Sequence, residues 1–414
     1  QYECGLGTYQ PSDAQSSCLD ADPGHYVGTN ASAAQTACGL GAYQPDAGQT
    51  SCDDADPGHY VDTNASIVQY ECSLGAYQPD AGQPSCLDAD TGHYVDSNAS
   101  VSQAPCATGS FQNQTGQSSC IGVEPGHFAS SNSSAGQSEC APGTYQPSAG
   151  QASCLDSDPG HYVDHNASTV QYECAPGTYQ TDADQSSCLD ADPGHYVGTP
   201  TATNQTACGL GTYQPDAGQA SCIDSDPGHF VDANASDSQA DCVPGTFQPD
   251  FGQSSCDQSG PGHFVPSYAS INPIPCASGT YQELSGQVSC NLSSPGSYVE
   301  LSASATQTNC EPGTYQMNAG ASSCSIADAG HYVPSNGSTI QMECDIGTYQ
   351  PSTGQPSCLD ADVGFYVDSI SSTSQTPCPE RFSTTNRGSS DFALCQQDTD
   401  GDSTPDTIDD DDDG

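Results

Sequence analysis

Lysine is absent from this 414-residue chain, and Arg381 and Arg387 are its only fixed cations against 52 acidic residues, a formal net charge of −50. With no basic patch to neutralise phosphates, neither nucleic acid nor an anionic membrane surface is expected as a partner, and cations are the natural small ones. Tryptophan is missing too, hydrophobic residues reach only 33%, and Gly and Pro number 43 and 30. That is too little apolar and too much turn-forming material for two or three ordinary domain cores. No run of about 18 apolar residues exists to span a bilayer, so no direct membrane insertion is expected. Gln1 opens the chain with neither Met nor signal peptide, and the reading expects a processed or partial chain.

What is present in excess is cysteine. The 24 residues make an even count, far too many for a reduced cytosolic protein of this polarity, so an extracellular location, secreted or on a cell surface, is expected. The first cysteine of each repeat falls at Cys4, Cys38, Cys72, Cys106, Cys140, Cys174, Cys208, Cys242, Cys276, Cys310, Cys344 and Cys378, always 34 apart. The second follows at a constant step, at Cys18, Cys52, Cys86, Cys120, Cys154, Cys188, Cys222, Cys256, Cys290, Cys324 and Cys358, and only Cys395 departs, three positions late. Helical tetratricopeptide repeats share this period, but Gly or Pro every few residues rules out a helix pair.

A second period, half as long, lies inside the first. The motif G-x-[YF] places an aromatic at Tyr9, Tyr26, Tyr43, Tyr60 and onward at the same step to Tyr366. Each unit is therefore two half-units, one with G-T-Y-Q and one with G-H-Y-V. Overlaying them puts Ala21 where Cys4 stands and Gln35 where Cys18 stands, so both members of a possible pair are missing together from the second half.

That joint absence favours pairing within the short spacing, Cys4 with Cys18 and so on to Cys378 with Cys395, which leaves no thiol unpaired. Spacing alone does not settle connectivity. The alternative, Cys18 with Cys38 and onward, strands Cys4 and Cys395. Such bridges are needed because a half-unit holds too few apolar residues to offset about 1.5 kcal/mol of ordering entropy per residue. Closing a loop of about 15 residues stabilises by roughly 3 kcal/mol in the chain-entropy model.

The expected fold is a small disulfide-rich repeat protein: an elongated rod of twelve 34-residue units made of short β-hairpins and turns, with almost no helix. At one packed layer of about 10 Å per half-unit, the rod would be on the order of 200 Å long. By this reading residues 1–378 are tandem cysteine-rich repeats, 379–395 a divergent terminal repeat and 396–414 an Asp-rich calcium-binding-like tail.

The pattern carried in the first unit by Cys4, Gly7, Tyr9, Gln15, Cys18, Gly24 and Tyr26 resembles the ephrin-receptor-like cysteine-rich repeat and the one-disulfide module of tumour necrosis factor receptor ectodomains. The resemblance implies hairpins closed by a local disulfide and stacked into an extended ectodomain. It departs from the usual form at Ala21, where a cysteine is expected, so the second half-unit must hold by packing and turn chemistry.

N-linked glycans are expected at the N-x-[ST] sequons Asn30, Asn64, Asn98, Asn113, Asn132, Asn166, Asn204, Asn234, Asn291 and Asn336. Seven of them, Asn30, Asn64, Asn98, Asn132, Asn166, Asn234 and Asn336, share one register. The simpler account is a duplicated turn, since Asn and Ser favour turns in any case. The segment containing Asp54, Asp56, Gly58 and Asp62 has part of a calcium-loop pattern but lacks its last carboxylate, so it reads as a solvated acidic turn. The tail is more specific. Asp398, Asp400, Asp402, Asp406, Asp409, Asp411 and Asp413 give hard oxygen ligands around a Gly turn and resemble one thrombospondin type 3 repeat, which implies Ca2+. Families with such repeats carry several in series, so the chain is expected to continue past Gly414. Against calcium stands the run of adjacent Asp residues, which repel one another.

Histidine recurs at His25, His59, His93, His127, His161, His195, His229, His263 and His331, between Gly and an aromatic, and packing beside a turn is the expected role. No singular polar constellation stands apart from the repeats, and no enzyme is expected. The first functional reading is a glycosylated structural rod that forms or coats a filament or cell surface, with copies of itself, stacked head to tail, as partners. The alternative is a receptor or adhesin stalk that binds a protein or glycan ligand.

Overall fold

The computed structural model describes residues 3–13, 15–399, 401 and 403–407. The chain divides into two compact units. One comprises Gln1–Asp192, Tyr196–Thr206 and Ala217–Ser221, the other Pro193–His195, Ala207–Asp216 and Cys222–Gly414. The same local structure fills both, and together they hold twelve repeating disulfide-bonded β-hairpin units that recur with the period of the first cysteines. Among the described residues the one helix is a 3-10 turn at Phe392–Leu394, whose first turn is capped by the Asp391 carboxylate accepting from the Ala393 amide at 2.9 Å.

In the first unit, residues 38–71 show how the hairpins arise. Ala42 pairs with Asp54 and Tyr43 with Asp53, antiparallel; one half-unit on, His59 pairs with Glu71 and Tyr60 with Tyr70. Ahead of the second hairpin, Asp56-Pro57-Gly58-His59 forms a tight turn in which the His59 amide donates to the Asp56 carbonyl at 2.9 Å. Pro sets the second turn residue, and Gly supplies the positive φ of 82° that the third requires. Strands two residues long cannot stand alone. The rest of their support comes from neighbouring half-units.

That support is main chain to main chain. The Gly41 amide donates to the Val61 carbonyl at 2.8 Å and the Gln44 amide to the Ser66 carbonyl at 3.0 Å. One half-unit later the Gly58 amide donates to the Gln78 carbonyl at 2.7 Å and Val61 to Gln83 at 3.1 Å. The second unit repeats this: Gly245 donates to Val265 at 2.8 Å, Gly262 to Gln282 at 2.7 Å. The half-units come so close that a Cβ on Gly58 would lie 2.2 Å from the Ala99 carbonyl oxygen, and one on Gly262 would lie 2.1 Å from that of Ala303. Only glycine permits this approach.

The core is correspondingly thin. Cys38, Ala55, Val61 and Cys72 are buried, while the recurring aromatics Tyr43 and Tyr60 are only half-buried. The bridges are local, Cys4–Cys18 through Cys344–Cys358 at a sequence separation of 14 and Cys378–Cys395 at 17, and among the described residues no cysteine is free. G-T-Y-Q and G-H-Y-V differ at their last residue for a reason. Gln44, buried, donates through Nε2 to the Ser51 carbonyl at 3.0 Å and accepts from the Asp46 amide at 3.0 Å, bracing its own loop. Val61 fills the matching place with hydrocarbon.

The final repeat departs from the others. Phe382–Thr384 pairs with Cys395–Gln397, and the Gly364 amide, which elsewhere would meet a carbonyl, donates to the Thr384 hydroxyl at 3.0 Å.

Candidate functional site

The second half-unit has no disulfide, and a side-chain clasp stands in its place. Gln69 occupies the position that Cys52 holds in the preceding half. Its Oε1 accepts from the Asp56 amide at 2.7 Å, and its Nε2 donates to the Asp56 carboxylate at 2.7 Å. The same two-point clasp joins Gln35 to Asp22, Gln103 to Asp90 and Gln171 to Asp158 in the first unit. It joins Gln239 to Asp226, Gln341 to Asp328 and Gln375 to Asp362 in the second. Gln307 keeps both bonds with Ser294 as partner, the side-chain one lengthened to 3.4 Å. At residues 259–275 the two partners change together, to Gly260 and Pro273, neither of which has a side chain able to form the clasp.

In the sequence Gln35 aligns with Cys18 and carries no role of its own. The available signal was the recurrence of Asp at the second position of the half-unit together with Gln at the fifteenth. The clasp also occupies Asp56, the second carboxylate of the partial calcium-loop pattern that begins at Asp54: it already accepts from Gln69.

The ten sequon asparagines all have exposed side chains. In the shared register each precedes a residue of positive φ, as at Ala65, Ala99 and Ala235. The serine two residues after Asn64 is structural: the Ser66 carbonyl accepts from Gln44, and its hydroxyl donates to the Val68 carbonyl at 2.7 Å. Turn bonding therefore accounts for the serine of N-A-S.

The nine repeated histidines are half-buried, with Nδ1 between 3.2 and 3.4 Å from the carbonyl oxygen two residues earlier, as in His59 with Pro57 and His127 with Pro125. His229 also meets its cross-strand partner, Nε2 to the Asp241 carboxylate at 2.9 Å. Among the described residues no three His, Cys, Asp or Glu side chains converge on a point where a metal ion would sit.

In the tail, Asp400, Asp402, Asp409, Asp411 and Asp413 lie outside the described residues. Asp398 is buried, and its carboxylate accepts from the amides of Gly401 at 2.7 Å and Ser403 at 3.1 Å. Asp406 accepts from the Thr399 amide at 2.7 Å and hydroxyl at 2.6 Å, and these bonds, the hydroxyl first, hold its pKa below the ordinary carboxylate range. Both carboxylates thus shape a tight acidic loop, and each oxygen keeps a second lone pair. The hydrogen bond from His165 likewise lowers the pKa of exposed Asp164.

The chain matches no family model and no curated protein. The repeat is thus a tandem disulfide-bonded hairpin unit without a family assignment.

Proposed function

We propose that the chain is a non-enzymatic extracellular structural protein, a glycosylated stack of repeats that forms or coats a filament or cell surface. The observation that carries this reading is the main-chain ladder. Each half-unit exchanges main-chain hydrogen bonds with both of its neighbours, Gly41 donating forward to Val61 and Ala65 donating back to Cys38, so a further copy could continue the same ladder. Twelve disulfides place the folded chain in an oxidising compartment. Exposed sequons at regular intervals support secretion and a sugar coat. The motif resemblance to receptor cysteine-rich repeats fits the same location. Calcium is proposed for the tail, where Asp398 and Asp406 hold the described part of the loop and the remaining acidic residues of the pattern would complete the ligand set.

A receptor or adhesin stalk is the second reading. It draws on Phe251, Tyr268, Leu284 and Leu301, large side chains that stand exposed in consecutive half-units of the second unit. At the places of Phe251 and Tyr268, residues 38–71 carry Ala47 and Asn64. Electron microscopy of the purified protein separates the two: long fibres support the structural reading, and dispersed single particles across a range of concentration and calcium overturn it.

A further inference from the structure

Tyr60 and Tyr70 face each other across the paired strands of a half-unit that has no disulfide, with ring centroids 5.8 Å apart. Tyr162 and Tyr172 repeat the arrangement at 5.8 Å. The outer ring of each pair is open to solvent, Tyr70 at 47% and Tyr172 at 40% exposure. The second pair has an additional neighbour. The His165 ring lies 6.0 Å from that of Tyr172, and its Nδ1 sits 2.6 Å from the Asp164 carboxylate. A carboxylate only accepts, so Nδ1 carries the hydrogen of that contact, and Nε2 is the ring nitrogen that Asp164 does not engage. Thr63 occupies the corresponding place near the first pair.

We propose that these two cross-strand tyrosine pairs are sites of oxidative coupling to dityrosine by hydrogen peroxide and a haem peroxidase, with His165 acting as the proton acceptor that makes the Tyr162–Tyr172 pair the faster. Each phenol gives up one electron and its hydroxyl proton. The two phenoxyl radicals join through ring carbons next to oxygen, and the hydrogen on each of those carbons moves to its oxygen, restoring both phenols. The two electrons and two protons reduce one hydrogen peroxide to two waters. Holding the rings against each other makes the coupling step intramolecular. The imidazole assists the loss of the phenolic proton that accompanies oxidation. The product is a covalent closure, resistant to thiols, in half-units that carry no cysteine pair. This inference does not depend on whether the protein forms fibres.

The test treats the full chain with a haem peroxidase and limiting hydrogen peroxide, then maps peptides by mass after disulfide reduction. The expected result is an intrachain Tyr162–Tyr172 link, two hydrogens lighter than the unlinked peptides, appearing first. Tyr60–Tyr70 follows, and both precede any link at Tyr268, which is 64% exposed. His165→Phe is expected to slow the first link several-fold, to the rate of the second, without changing the second. Coupling scattered among exposed tyrosines or formed only between chains overturns the proposal, as does an unchanged dityrosine yield in Tyr172→Phe with Tyr70→Phe. An unaltered rate in His165→Phe overturns the role of the imidazole.

Discussion

Gln69 closes its half-unit on Asp56 with two hydrogen bonds, from the position that the half-cystine Cys52 holds one half-unit earlier. Covalent and hydrogen-bonded closures alternate along the chain, except at residues 259–275 where Gly260 and Pro273 form no clasp, and the two differ in strength. A hydrogen bond contributes about 1 kcal/mol net, against roughly 3 kcal/mol for a bridge over a loop of this size.

Gln69→Ala is therefore expected to destabilise its own half-unit by about 1–2 kcal/mol, read as faster amide exchange confined to residues 55–71. Replacing Ala55 and Gln69 together by cysteine should do the opposite. These positions correspond to Cys38 and Cys52, and a new bridge should form and slow exchange in the same segment. Recovery of free thiols at both sites in the folded protein would show that the two halves are not structurally equivalent.

Gly58→Ala places a methyl group against the Ala99 carbonyl at a backbone φ of 82°, and local destabilisation on the order of 3 kcal/mol is expected. Ala65→Gly goes the other way. Its φ of 57° costs alanine about 1 kcal/mol that glycine does not incur. The sequon survives the change, as Asn336-Gly337-Ser338 already demonstrates with Gly337 at φ 70°. Thermal unfolding of the two variants should shift in opposite directions.

Acid should loosen the tail loop selectively. The Asp406 carboxylate is held below its ordinary pKa by Thr399, so its stabilisation is complete above the ordinary carboxylate range. It is lost as pH falls from that range through the lowered value. Limited proteolysis near Thr399 should accelerate there in the native chain. In Asp406→Asn, where the amide oxygen still accepts but does not titrate, that acceleration should be absent.

Glycosylation is checked by intact mass. Material secreted from a eukaryotic host should exceed the bare polypeptide, and Asn64→Gln should remove one glycan. A mass equal to the polypeptide would remove the sugar coat from the proposed function.

Much of this fold is legible in the sequence because each unit repeats the same few constraints. The period of Cys4 and Cys18, the paired loss at Ala21 and Gln35, and the aromatic that returns once per half-unit define hairpin, bridge and half-unit. What sequence reading does not reach is where the half-units touch. Gly41 reads as a turn glycine, yet it also lies where a Cβ would come 2.0 Å from the Gly82 carbonyl oxygen, a contact between residues in different repeats. Gln35 and Asp22 look like ordinary surface residues because their meaning lies in their pairing. For the tail the limit is chemical: Asp398 accepts from two backbone amides and Asp406 from the Thr399 amide and hydroxyl, and a spacing rule for calcium ligands does not register those bonds.

The ladder of amides and carbonyls is the same at both kinds of half-unit, since Gly41 reaches Val61 as Gly58 reaches Gln78. Side chains decorate it without setting its register. A recombination event that deleted or duplicated a single half-unit would bring together two backbones that bond as before, even where two bridged halves became neighbours. Chain length is therefore adjustable in steps of half a repeat without breaking the main-chain ladder.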